Sequence, residues 1–167
     1  HQHLQGLVLI SGHAGSVAKG SVQNQLQIPL IKLGLLSGIL SSKRLGRAFV
    51  RSLFGKVAPK GHVEAMRRIV AGHDTQEAVA LVNFQIKEDY YPGLSRIDVP
   101  TAVLSGERDK TCPRWHAERL GAEIPSATNV WLPDIGHMVV YEAPDAIVQE
   151  IMGLFNLTLS DAHSNNY

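Results

Sequence analysis

Two side chains in this sequence are placed so that together they could move a proton. Asp109 lies in "GERDKTCP" and His137 in "DIGHMVVYEAPD", each shortly after an apolar run. A carboxylate that accepts the Nδ1 proton of an imidazole fixes the ring's tautomer. It leaves Nε2 free to take a proton from a reacting group, and it stabilises the imidazolium that results. Each residue also has a plain structural use. A Gly-His pair after a strand often serves only the fold, and Asp109 would cap a helix starting at Pro113. The pair is the stronger signal, because open parallel sheets bind ligands where the carboxyl ends of neighbouring strands meet.

The remaining reactive side chains carry less. Cys112 is the single cysteine, which excludes an internal disulfide framework and a cysteine-rich zinc site. Thiol attack needs a depressed pKa and a base in reach. The flanking Lys110 and Arg114 read as solvent-facing, so Cys112 reads as an ordinary small residue at a helix start. Ser11 and Ser16 read as loop residues off any strained elbow. His13, His62, His73 and His116 show no metal-ligand spacing among themselves, so neither a metal nor a cofactor is expected.

The elements that must carry Asp109 and His137 follow from the patterning. "GLVLIS" (6–11), "TAVLSG" (101–106) and "TNVWLP" (128–133) read as buried strands of a parallel sheet. "PRWHAERLGAEI" reads as a helix with Pro113 in its first turn, and "PDAIVQEIMGLF" as another opened by Pro144. Between the first two strands, residues 23–89 read as helical. Leu45, Phe49 and Leu53 mark the apolar stripe of one helix whose other face holds Lys43, Arg44, Arg47 and Arg51. Asp74 or Thr75 caps a later helix, and "YYPGLSRIDVP" reads as a loop. Strands alternating with helices mean an α/β fold with right-handed crossovers. An insertion of this length is too long for a simple connection and reads as a helical subdomain. The expected division is a core at 1–12 and 97–157, a helical cap at 13–96 and a polar tail at 158–167.

At 167 residues with 44% hydrophobic content, one domain with a real core is expected. A net charge of +1 argues against general nucleic-acid binding. The basic run from Lys43 to Lys60 contrasts with the stretch after Arg119, which holds no Lys or Arg. No signal peptide pattern is visible, and the apolar run Leu26–Leu40 is too short to span a bilayer, so a cytoplasmic protein is expected.

At these residues the sequence resembles the α/β-hydrolase family. "IDVPTAVLSGERDKTCP" is similar to that family's seventh strand and acid loop. "NVWLPDIGHMVVYEAPDAIVQEIMGLF" is similar to its eighth strand, histidine loop and closing helix. "HLQGLVLISG" is similar to the sixth strand, after which many members insert a cap. The resemblance covers about residues 4–156. It implies the C-terminal part of an α/β-hydrolase sheet, its last three strands, with a helical cap. By the same resemblance Asp109 is the triad acid and His137 the triad base. The family presents its nucleophile on G-x-S-x-G before both, yet no serine here has glycine at both flanking second positions. The nucleophile is therefore expected upstream of His1. The isolated chain is then expected to be inactive and to expose an unpaired edge at its first strand.

The function so implied is hydrolysis of an ester or other acyl bond of a small, hydrophobic acyl substrate. Two other classes stay open. One is a non-catalytic, hydrolase-like binding module. The other is a lipid hydrolase docking on an anionic membrane surface through the basic helix at Lys43–Lys56. Acyl chain length, leaving group and oligomeric state are not legible.

Overall fold

Three parallel strands form the sheet in a computed structural model that describes residues 4–154. The tail expected at 158–167 lies outside the described residues. The strands are β1 (Leu7–Ile10), β2 (Thr101–Gly106) and β3 (Ala127–Leu132), in the order β1-β2-β3. Leu7 pairs with Thr101 and Ile10 with Leu104; Thr101 pairs with Ala127 and Gly106 with Leu132. All three strands therefore end on the same side, and their loops leave together. This is the expected α/β arrangement.

Burial differs among the strands in a way the apolar runs do not reveal. Every residue of β2 is buried, whereas β1 is only half-buried along its length. The reason is position: β2 lies between two neighbours, while β1 pairs with β2 alone among the described residues.

Five helices fill the insertion between β1 and β2: α1 (Val22–Lys32), α2 (Leu35–Ser41), α3 (Lys43–Arg51), α4 (His62–Ala71) and α5 (Thr75–Gln85). Ser21 caps α1 through Asn24 N–H, and Asp74 caps α5 through Gln76 and Glu77 N–H, as the Asp-Thr pair predicts. The apolar run 26–40 is split at Gly34, whose φ of 70° ends α1 and starts α2. "YYPGLSR" is not a plain loop: Tyr91–Arg96 forms a 3-10 turn that buries Tyr91. Pro92 fits there because the first residues of such a turn need no N–H partner.

The stripe of α3 is rotated from the expected one. Val50 and Gly46 are buried, with Phe54 just beyond, while Leu45 is 56% exposed. Leu45, Phe49 and Leu53 do recur every four residues, but so do Gly46, Val50 and Phe54. The second set wins because Gly46 lets the helix approach the buried Arg67 of α4 and the carbonyl of Leu40.

Two apolar cores result. Val103, Ala117, Leu120, Tyr91 and Ala14 pack between the sheet and α6 (Arg114–Glu123). Leu40, Val50 and Phe54 form the other, inside the insertion, joined by Met66, Val70 and Met138. Pro113 stands at the N-cap of α6 rather than within its first turn. A single turn, α7 (Val139–Glu142), separates His137 from α8 (Pro144–Leu154).

Candidate active site

Asp109 follows β2 by three residues and His137 follows β3 by five, so the parallel register brings both to one end of the sheet. His137 Nδ1 and Asp109 Oδ2 are 2.9 Å apart. Asp109 Oδ1 accepts the N–H groups of Thr111 and Cys112, each at 2.8 Å. The carboxylate does not cap α6 as the sequence suggested, since that helix starts at Pro113 without a side-chain cap bond; it holds the turn just ahead of it. One oxygen organises the turn into α6, and the other faces the imidazole. The Asp109 side chain is 1% exposed and that of His137 is 27% exposed. A buried carboxylate with a half-open imidazole is the order needed to pass protons outward.

His137 sits in a loop stitched to the inserted helices. Its N–H donates to the Leu53 carbonyl at 2.8 Å, and Lys56 N–H donates to the Asp134 carbonyl at 2.8 Å. Asp134 itself has φ 62°, and its carboxylate accepts from Arg108. The Arg108 guanidinium holds its carboxyl below the usual range, against the raising effect of desolvation.

A cavity of about 470 Å³ opens beside His137. The strand-end residues Ser11, Gly12 and His13 form its floor with Thr111 and Cys112. Ile28, Ile31 and Val82 of α1 and α5 contribute apolar wall, and Asn24, Gln27 and Gln85 contribute amides. Asn24 is itself fixed by bonds to the carbonyls of Val17 and Thr111.

Two further residues take places that their sequence reading did not give them. His13 lines the same cavity. Burial holds its imidazole below the ordinary value, against the raising effect of the Gly15 carbonyl, with His137 lowering it further. Its Nδ1 lies 2.7 Å from that carbonyl, so the neutral ring donates there. The Gly-rich "SGHAGS" loop gave no periodic signal that could single it out. Ser11, read as an unstrained loop residue, has φ 47° and a buried hydroxyl without a partner. The chain must bend sharply there to leave β1. Burial of that oxygen keeps it from an incoming carbonyl, so the strain does not make it a nucleophile.

Cys112 completes a trio with Asp109 and His137 whose ligand atoms lie within 4.8 Å of one another, a grouping the histidine spacing could not reveal. The chemistry of the trio does not favour a metal. Burial first, and the Asp109 charge second, push the thiol far up, so it stays protonated. Both Asp109 oxygens are already accepting hydrogen bonds.

The basic face of α3 is partly spent within the fold. Arg47 pairs with Glu64 at 2.7 Å, and Arg51 donates to the carbonyls of Phe54, Gly55 and Lys56. Arg114, read as solvent-facing, is exposed and also lies over the Trp131 ring at 4.1 Å from its centroid. No helix among the described residues is long and apolar enough to cross a membrane.

Residues 4–150 match the profile of the "Alpha/beta hydrolase family". No curated protein matches the sequence. Among solved structures the chain is similar to an esterase from Exiguobacterium antarcticum, with TM-score 0.72 and 16% identity over 89% of this chain and 56% of that one. It is similar to MGS-M2, an alpha/beta hydrolase from a Medee basin deep-sea metagenome library, with TM-score 0.70 and 17% identity over 92% and 57%. A hydrolase from Pseudomonas aeruginosa gives TM-score 0.67 and 22% identity over 92% and 56%. At these identities the likeness speaks for the fold. The chain spans just over half the length of these structures.

Proposed function

Because this chain belongs to the alpha/beta hydrolase family, we propose that Asp109 and His137 are the acid and base of a Ser-His-Asp triad that cleaves an ester or other acyl bond. The observation that carries this reading is the 2.9 Å approach of His137 Nδ1 to a carboxylate that is otherwise buried. None of the serines in residues 1–167 has the G-x-S-x-G setting, so in this reading the nucleophile is supplied from outside them. His137 takes the serine proton through Nε2 as the oxygen attacks the carbonyl. It then protonates the leaving group and later activates water, while Asp109 stays ionised and holds the ring.

The inserted helices act as a cap in this reading. Ile28, Ile31 and Val82 give the cavity an apolar wall beside His137, which suits a small substrate with a hydrophobic acyl group. Membrane docking through α3 is less well supported, since Arg47 and Arg51 are already engaged.

p-Nitrophenyl ester turnover tests the proposal. In a protein that joins these residues to the nucleophile, His137→Ala is expected to lower kcat by about 10⁴-fold or more. A variant within tenfold of the parent would sink the triad reading and favour a non-catalytic binding module. The 167-residue chain alone is expected to show no turnover. Turnover by that chain that vanishes in His137→Ala would mean that its own residues supply a nucleophile.

A further inference from the structure

Glu142 stands on α7, one turn beyond His137, and its carboxylate accepts two backbone N–H groups from different parts of the chain. Oε2 accepts from Gly55 at 2.6 Å, in the loop that ends α3. Oε1 accepts from Gly136 at 3.0 Å, the residue before His137. Gly55 and Gly136 are both buried. The two backbones abut so closely that a Cβ on either glycine would collide with the other loop: one on Gly55 meets the Asp134 carbonyl, and one on Gly136 meets the Gly55 nitrogen. Two N–H groups of buried glycines at such a seam need an acceptor.

We propose that Glu142 is a positioning residue that locks the His137 ring onto Asp109 and ties that geometry to the cap. This rests on the reading of His137 as the base. The backbone torsions on either side of the Gly136–His137 peptide set where the imidazole points. His137 N–H is already anchored on the Leu53 carbonyl, at the end of α3. Glu142 anchors the preceding N–H and, with the same carboxylate, the Gly55 N–H two residues beyond Leu53. A shift of the cap loop is therefore transmitted to the imidazole. One carboxylate accepting both N–H groups suits this role, because its two oxygens hold the two loops at a fixed separation.

The test uses the 167-residue chain and needs no turnover. Long-range ¹H–¹⁵N spectra of the His137 ring report its tautomer and its Nδ1 hydrogen bond. Amide hydrogen exchange reports Gly55 and Gly136. In Glu142→Ala both amides are expected to exchange at least tenfold faster, and the His137 Nδ1 proton signal to shift and broaden. Glu142→Gln keeps one carbonyl acceptor and is expected to lie between the two. It also decides the matter if the alanine variant does not fold. Asp145→Ala, an exposed acid on the next helix, is expected to change neither readout. Faster amide exchange with an unaltered His137 spectrum in the folded variants would overturn the proposal by reducing Glu142 to a structural clamp. Unaltered amides would overturn it outright. Failure of the ester assay alone would remove the hydrolytic reading and leave these spectra unaffected.

Discussion

Asp109 divides its two oxygens between local folding and His137, and substitution can separate the two roles. Asp109→Asn can keep a carbonyl on Thr111 and Cys112 N–H while presenting an NH₂ to His137 Nδ1. The ring must then accept at Nδ1 and carry its proton on Nε2, the wrong tautomer for a base. Little loss of stability is expected, with a clear change in the His137 ring spectrum. Asp109→Ala leaves the two N–H groups without their acceptor and is expected to cost about 1–3 kcal/mol in urea unfolding. Equal effects of the two variants on stability and ring spectrum would refute this division. At this scale the sequence was informative because Asp109 and His137 stand in recognisable surroundings. Glu142 stood in the same stretch without a role. Its partners are backbone groups of two glycines, one of them far away in sequence, and backbone groups carry no residue-type signal.

At the scale of elements, α3 shows how an amphipathic pattern can be right in kind and wrong in phase. The helix was expected, but its buried stripe follows Gly46, Val50 and Phe54 rather than Leu45 and its four-spaced partners. Val50→Ala is expected to destabilise the chain by about 1–3 kcal/mol, since it opens space in a packed core. Leu45→Ala is expected to stay within about 0.5 kcal/mol. Denaturant midpoints for the two variants check this, and a larger loss at Leu45 would restore the expected face. A glycine adds nothing to a hydrophobic stripe, so the stripe through Gly46 was invisible until α4 brought Arg67 across it. Arg67 and Glu64 are paired at 2.8 Å, and Arg67 also donates to the Leu40 carbonyl. The Arg67 side chain of α4 thus meets α2 through its guanidinium and α3 through its methylenes at Gly46.

Across the whole molecule, imidazoles held below their ordinary pKa make stability depend on pH. His116 is fully buried, stacked on Trp115, with Nδ1 2.9 Å from the Tyr91 hydroxyl. Burial first, and His13 second, lower its pKa to about 4. The unfolded chain binds a proton near pH 6.5 and the folded chain only near 4. Stability from this residue is therefore complete above about pH 6.5 and is lost as the pH falls towards 4. His13, lowered by burial, acts in the same direction. At about 1.4 kcal/mol per unit, the His116 share is on the order of 3 kcal/mol. Unfolding free energies measured from pH 7 to 4 should fall accordingly, and less steeply in His116→Gln. An identical slope in that variant would remove His116 as the cause. The outer side of β1 presents unpaired backbone groups among the described residues, a template for pairing with another chain. Sedimentation at increasing concentration is expected to show self-association, and a monomer at all concentrations would contradict it.

The sequence by itself determined the α/β class, the order of strands and helices and the two residues most worth pairing. These depend on periodicity, turn residues and residue type, all of which are local in the chain. Only the tertiary structure decided the 2.9 Å approach of His137 to Asp109, the cavity that His13 shares with His137, the phase of α3 and the seam between Gly55 and Gly136. Each of these depends on how close two segments distant in sequence come to lie. That distance is set by packing and backbone hydrogen bonds, and no single segment encodes it.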